Sequence, residues 1–167
     1  DYKATDEDLL LWVHMAFTES FLVAHQAYGS RPIPGGPDNY VSQWAASVRP
    51  LGLENAPQSV AELESAIEDL YQNGTLRVTD TTLQVVKFLR RPPLTAGAAL
   101  AYRFLFAAAV VTLPERYQQM LKLPTYPTHL VKVVGNAFLR LLRVAVGPES
   151  PIEDAALVRL ERISRTK

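Results

Sequence analysis

The chain contains no cysteine. That excludes thiolate nucleophiles, cysteine-held zinc and iron–sulfur clusters together, and leaves any chemistry to histidine, carboxylate, hydroxyl and guanidinium groups. Two of the three histidines share the first apolar segment. At about 100° per residue, His14, Thr18, Phe21 and His25 fall on one stripe of a helix. His14 and His25 are separated by roughly 16 Å along such a helix, too far to share a metal ion. His14 and Thr18 are one turn apart and can face one pocket. Glu19 lies about 140° round from His14 and is not its partner on a regular helix. The blander use of His14 is as a core or interface histidine donating to a backbone carbonyl. His25, near the helix C-terminus, reads as a capping or surface group favoured by the helix dipole. His129 follows Thr128 at a helix start and reads as exposed.

Arg103 stands alone among apolar residues between positions 94 and 113. If buried, it needs a carboxylate such as Glu19 or Asp69, or an acidic group on a ligand, because an unpaired buried charge is costly. The blander reading is a structural salt bridge. Lys132, Arg140 and Arg143 map to one solvated face of a late helix. Tyr40, Trp44 and Tyr102 read as packing residues. No HExxH zinc motif, Gly-rich phosphate loop or Ser–His–Asp spacing occurs.

The elements that must position these residues are helical. The 167 residues fit one domain. The net charge of zero argues against nucleic acid as a partner. Twelve prolines against eight glycines, clustered between apolar runs, divide the chain cleanly. Apolar spacing and these breakers predict an all-α domain of about eight helices. The first is capped at Thr5, runs from Leu9 to about Tyr28 and is stopped by Gly29. The second starts at Asp38 or Asn39 and runs to about Val48, closed by Pro50 and Gly52. Ser59 and Glu62 form a capping box for the third, which ends at Asn73-Gly74. Residues 75–79 alternate in polarity, but one short strand has no partner, so they read as extended loop. Thr79 or Asp80 opens a helix to Leu89. Leu94–Leu113, Glu115–Leu121 and His129–Val146 follow, and Pro151 sits at the start of the last helix.

Leu94–Leu113 has the length of a membrane span, but a central arginine costs roughly 2.5–3.5 kcal/mol on an insertion scale, and a buried core helix is the better reading. No stable transmembrane span is expected. The start of the chain lacks a signal-peptide pattern, and with no cysteine the compartment is read as cytoplasmic. The chain opens on Asp1 rather than methionine and is read as a fragment with sequence missing upstream.

Asp8-Leu9-Leu10-Leu11-Trp12-Val13-His14, Glu19-Ser20 and Tyr28-Gly29 resemble the central signature of the rubber-oxygenase and latex-clearing-protein-like domain, the family of the endoplasmic-reticulum-bound oxygenase of mycophenolic acid biosynthesis. Asn39-Tyr40-Val41, Arg49-Pro50-Leu51-Gly52 and Pro57-Gln58-Ser59-Val60-Ala61-Glu62-Leu63 continue the likeness in order, as do Phe88-Leu89-Arg90-Arg91-Pro92-Pro93, Leu113-Pro114-Glu115-Arg116-Tyr117 and Leu121-Lys122-Leu123-Pro124. The likeness spans nearly the whole chain.

The resemblance implies a helical haem b domain that cleaves carbon–carbon double bonds of an apolar substrate with dioxygen. It places the axial histidine, and an Arg-rich element with a threonine, upstream of the Trp12-Val13-His14 element. The chain would then hold the C-terminal two-thirds of the domain. His14 and Thr18 are expected to line the haem pocket and Arg103 to meet a haem propionate, with no metal ligand in this chain. Two other readings stand beside this one: a non-catalytic helical protein binding an apolar ligand, and a helical interaction module. Three structural expectations follow. The first helix buries its Leu10/His14/Phe21 side. The helix at 94–113 lies in the core, Leu105 included. The helix bearing His14 shows an apolar face that this chain does not fully cover, to be covered by an oligomeric contact, a ligand or an upstream segment.

Overall fold

The computed structural model describes residues 6–146, with Ala155, Val158, Arg159 and Arg162 beyond them. The described residues are all-helical: α1 (Glu7–Tyr28), α2 (Gly36–Val48), α3 (Val60–Gln72), α4 (Asp80–Arg90), α5 (Ala96–Val110), α6 (Glu115–Met120) and α7 (Thr128–Val146). No strand occurs among them, and residues 75–79 are irregular as expected. The helix expected after Pro151 begins outside the described residues.

The breakers act where the sequence places them, with some changes of partner. The cap of α1 is Asp6, whose carboxylate accepts the Asp8 N–H; the expected Thr5 lies outside the described residues. α1 ends at Gly29, whose backbone turns extended, and glycine suits that position because a side chain there would collide with the His25 carbonyl oxygen. At α3 the Ser59 hydroxyl caps Glu62 N–H at 3.2 Å as expected, but the Glu62 carboxylate accepts from the Gln58 N–H at 2.7 Å instead of from Ser59. The reciprocal box forms instead at α4, between Thr79 and Thr82. Asp38 does not cap its own helix. Its carboxylate accepts the Val60 N–H at 2.9 Å and ties the start of α3 to α2.

The core is built where α1, α2 and α3 meet. Met15, Leu22, Val41, Leu63 and Ile67 form one buried cluster. The far end of α1 meets a second pair, α5 packed on α7. There Tyr28 is the junction. Its hydroxyl donates to the Ala108 carbonyl at 2.8 Å, and Arg143 donates to the Tyr28 carbonyl at 3.0 Å. Asn136 donates to the Ala27 carbonyl at 3.3 Å. Gly135 lets α7 approach, since a Cβ there would lie 2.9 Å from the Tyr28 ring.

Two burial expectations are corrected. Phe21 is 51% exposed, because it stacks on Phe17 and Trp44 through ring faces and leaves its outer side open. Leu105 is 45% exposed, and most of α5 is exposed with it. That helix is apolar all round. Only its last turn, with Ala107, Ala108 and Val110, reaches the interior.

Candidate ligand pocket around His14

Helix α1 turns His14 and Thr18 inward; they are 5% and 1% exposed, the two buried polar residues among those described. The Thr18 hydroxyl donates to the His14 carbonyl at 2.8 Å. Its one donor is thereby spent on the helix backbone, which places Thr18 as a supporting residue. The imidazole of His14 does not donate to a carbonyl, contrary to the blander expectation. Its Nδ1 is buried with no hydrogen-bond partner. Burial lowers the His14 pKa below its ordinary value, so the ring is neutral at neutral pH.

The surroundings of that ring are aromatic. Trp44 lies 6.3 Å from His14 between ring centres, Tyr40 6.0 Å from Trp44, and Phe21 5.7 Å from Trp44. Tyr40 and Trp44 are one turn apart on α2, so a single helix face supplies both. Burial raises the Tyr40 pKa, and a hydrogen bond from the Trp44 side chain to its hydroxyl opposes that rise. The unpaired polar atom beside this indole is the Nδ1 of His14. A buried polar group without a partner costs about 1–3 kcal/mol, and such groups in native proteins call for an explanation such as a bound ligand or water.

Beside His14 the apolar face of α1 stays open, as the sequence leads one to expect. Val13, Phe17 and Phe21 follow one another at helical spacing and are 41%, 52% and 51% exposed.

Arg103 is not part of this arrangement. It is exposed on α5, which packs against α7, and no acid among the described residues pairs with it. Neither expected carboxylate reaches it. The arginine near Glu19 is Arg116 of α6, with Glu64 and Glu68 lining the same groove. Arg116 donates to the Glu68 carboxylate and stacks over Tyr71 and Tyr117 at 4.7 and 4.8 Å. Burial raises the Glu19 pKa, Arg116 opposing it and Glu64 adding to it. His25 is exposed and donates from Nε2 to the Arg31 carbonyl at 2.9 Å; His129 is exposed, as expected.

The sequence reading passed over Tyr40 and Trp44 as packing and did not single out Arg116. Tyr40 and Trp44 do carry a signal, since an aromatic pair at i and i+4 on a helix presents one face. Arg116 stands in one of the segments that carry the family resemblance, with no feature of its own to distinguish it.

No group of histidine and carboxylate residues among those described is placed to hold a metal ion by itself. An interior with an unpaired imidazole, aromatic walls and an open apolar flank has the make-up of a site for a largely apolar molecule with a polar point. The family model described as the catalytic domain of the ER-bound oxygenase mpaB/B′ and rubber oxygenase matches residues 1–146. The chain therefore belongs to that family, whose description is of an oxygenase-type catalytic domain. No curated protein and no solved structure matches the chain.

Proposed function

We propose that the protein is a haem b-dependent oxygenase acting on an apolar substrate, with His14 on the wall of its haem pocket. The observation that carries this reading is the buried, unpaired Nδ1 of His14 beside Trp44, which itself packs on Tyr40 and Phe21, in the segment that carries the family signature. The residues present fit one wall of such a pocket. When bound, haem supplies the dioxygen chemistry.

The chain's own residues have separable tasks in this reading. His14, kept neutral by burial, offers one polar atom to a bound group in an otherwise dry wall. Trp44 and Tyr40 exclude water from that point, which strengthens any hydrogen bond made there. Thr18 holds the carbonyl of His14 and stiffens the turn that aims the ring. Phe17 and Phe21, stacked 5.8 Å apart and half exposed, offer an apolar bed along which a hydrocarbon substrate lies.

The reading is tested by incubating the haem-loaded, full-length protein with squalene, an apolar polyene, under ¹⁸O₂. Carbonyl products carrying ¹⁸O are expected. Haem uptake without any oxygenated product would leave a haem protein and remove the oxygenase assignment. Squalene binding without haem uptake would replace it by a non-catalytic apolar-ligand protein.

A further inference from the structure

Away from His14, the acids and bases of this neutral chain are unevenly distributed. Between residues 81 and 114 it carries Lys87, Arg90, Arg91 and Arg103 and not one Asp or Glu. Three of these cations converge on a groove between α4 and the end of α6. On α4, Leu83, Val86, Lys87 and Arg90 fall within about 100° of one another at helical spacing, so one face of the helix makes one wall. The groove has an apolar floor of Leu83, Val86 and Leu121. Its rim is Lys87, Arg90, Arg91 and Lys122, and no acid lines it. None of the four cations forms an ion pair with a described residue.

Lys122 adds an independent observation. Its φ is 50°, and it is the one non-glycine residue with positive φ among those described. It sits just past α6, where the Leu123 N–H bonds back to Gln118 and the Lys122 N–H to Gln119. Glycine is the usual occupant of that left-handed position because it bears no Cβ. Lysine there is strained, and its ammonium joins the groove.

We propose that this groove is a binding site for an amphiphilic anion, a carboxylate or phosphate head on a hydrocarbon chain. The cations take the head, and Leu83, Val86 and Leu121 take the first carbons of the chain. The rival account is that the cations only complement the negative ends of two helices, since Lys87 and Arg90 lie in the last turn of α4. That account needs neither the apolar floor nor a lysine at the left-handed position.

The two are separated by an NMR titration of the full-length protein with decanoate below its micelle concentration. Saturable shifts are expected at the amides of Leu83, Lys87, Leu121 and Lys122, weakening as salt is raised. Decanol, which lacks the charge, and inorganic phosphate, which lacks the chain, are each expected to bind at least about tenfold more weakly. Arg90→Glu, an exposed change, is expected to weaken decanoate by a similar factor. Lys122→Gly is expected to weaken it while leaving Tm unchanged or higher. Decanol binding as well as decanoate would overturn the role of charge, and phosphate binding as well would overturn the amphiphile. Wild-type affinity in both variants would leave the charges to the helix ends and end the proposal. Sedimentation with mixed phosphatidylcholine/phosphatidylglycerol vesicles, lost in Arg90→Glu, would assign the head group to a bilayer lipid. Decanoate binding without sedimentation would assign it to a dissolved amphiphile.

Discussion

At its C-terminal end α1 is held from three sides, through the Tyr28 hydroxyl on α5, the Tyr28 and Ala27 carbonyls on α7, and the close approach of Gly135. Midway along the same helix, the polar atom of His14 has no partner and Val13, Phe17 and Phe21 face outward. Both regions belong to segments that carry the family likeness, Trp12-Val13-His14 in one and Tyr28-Gly29 in the other. The first region satisfies every group it buries and reads as architecture. The second leaves a buried group unsatisfied, which is the pattern of a surface made for something else to complete. Both occur on one helix, so the signature motif is not uniform: its end is tied into the fold, and its middle leaves a polar atom and an apolar face open.

The largest effect should come from the core that both regions share. Leu63, 2% exposed in the α1–α2–α3 cluster, is expected to cost about 2–5 kcal/mol when replaced by alanine. Leu105→Ala, on the exposed flank of α5, should cost well under about 1 kcal/mol. Urea unfolding of the two variants side by side checks the contrast, and equal losses would return α5 to the core. Next comes the locked end. Gly135→Val drives a side chain into the Tyr28 ring and should cost about 1–3 kcal/mol. Tyr28→Phe, which leaves the Ala108 carbonyl without its donor, should cost about 0.5–1.5 kcal/mol. The open region should behave in the opposite way. His14→Leu removes an unpaired buried polar group and should leave stability at pH 7 unchanged or slightly raised, while haem binding and activity fall.

The smallest effects are in pH dependence, and their signs differ. Burial holds the folded pKa of His14 below its ordinary 6.5, so the unfolded chain takes up the proton first. Its unfavourable contribution is absent above pH 6.5 and grows as pH falls from there towards the folded value. For Glu19, burial holds the folded pKa above its ordinary 4.5. The folded chain keeps the proton longer, and the stability this gives is present below pH 4.5 and lost as pH rises through the folded value. Thermal melts should therefore show His14→Leu gaining on the wild type as pH falls below 6.5. Glu19→Gln should gain on it as pH rises above 4.5.

Helix boundaries were legible because their signals are local. Gly29, Ser59 and Thr79 act at the places their chemistry predicts, whereas Thr128, expected to cap α7, is its first residue. The partner of a cap was less so: Glu62 had two neighbouring N–H groups within reach, and Asp38 found one on another helix. Burial was legible for amphipathic helices and illegible for α5. A helix apolar on every side carries no information about which side faces inward, and there Leu105 and Arg103 were misplaced. The site was half legible. His14 and Thr18 share a stripe, and the structure buries both. Which nitrogen lacks a partner, and that Trp44 of α2 comes to stand against the His14 ring, depend on how α2 crosses α1, which no local pattern contains.

The claim that the middle of α1 is the wall of a haem pocket is tested most directly by titrating haem into the full-length protein and into His14→Leu, following absorbance, after their thermal melts are shown to match. The wild type is expected to give a saturable Soret band, and His14→Leu, equally folded, a displaced band or a clearly weaker affinity. No Soret band in the wild type, or the same band and affinity in both proteins, would contradict the account.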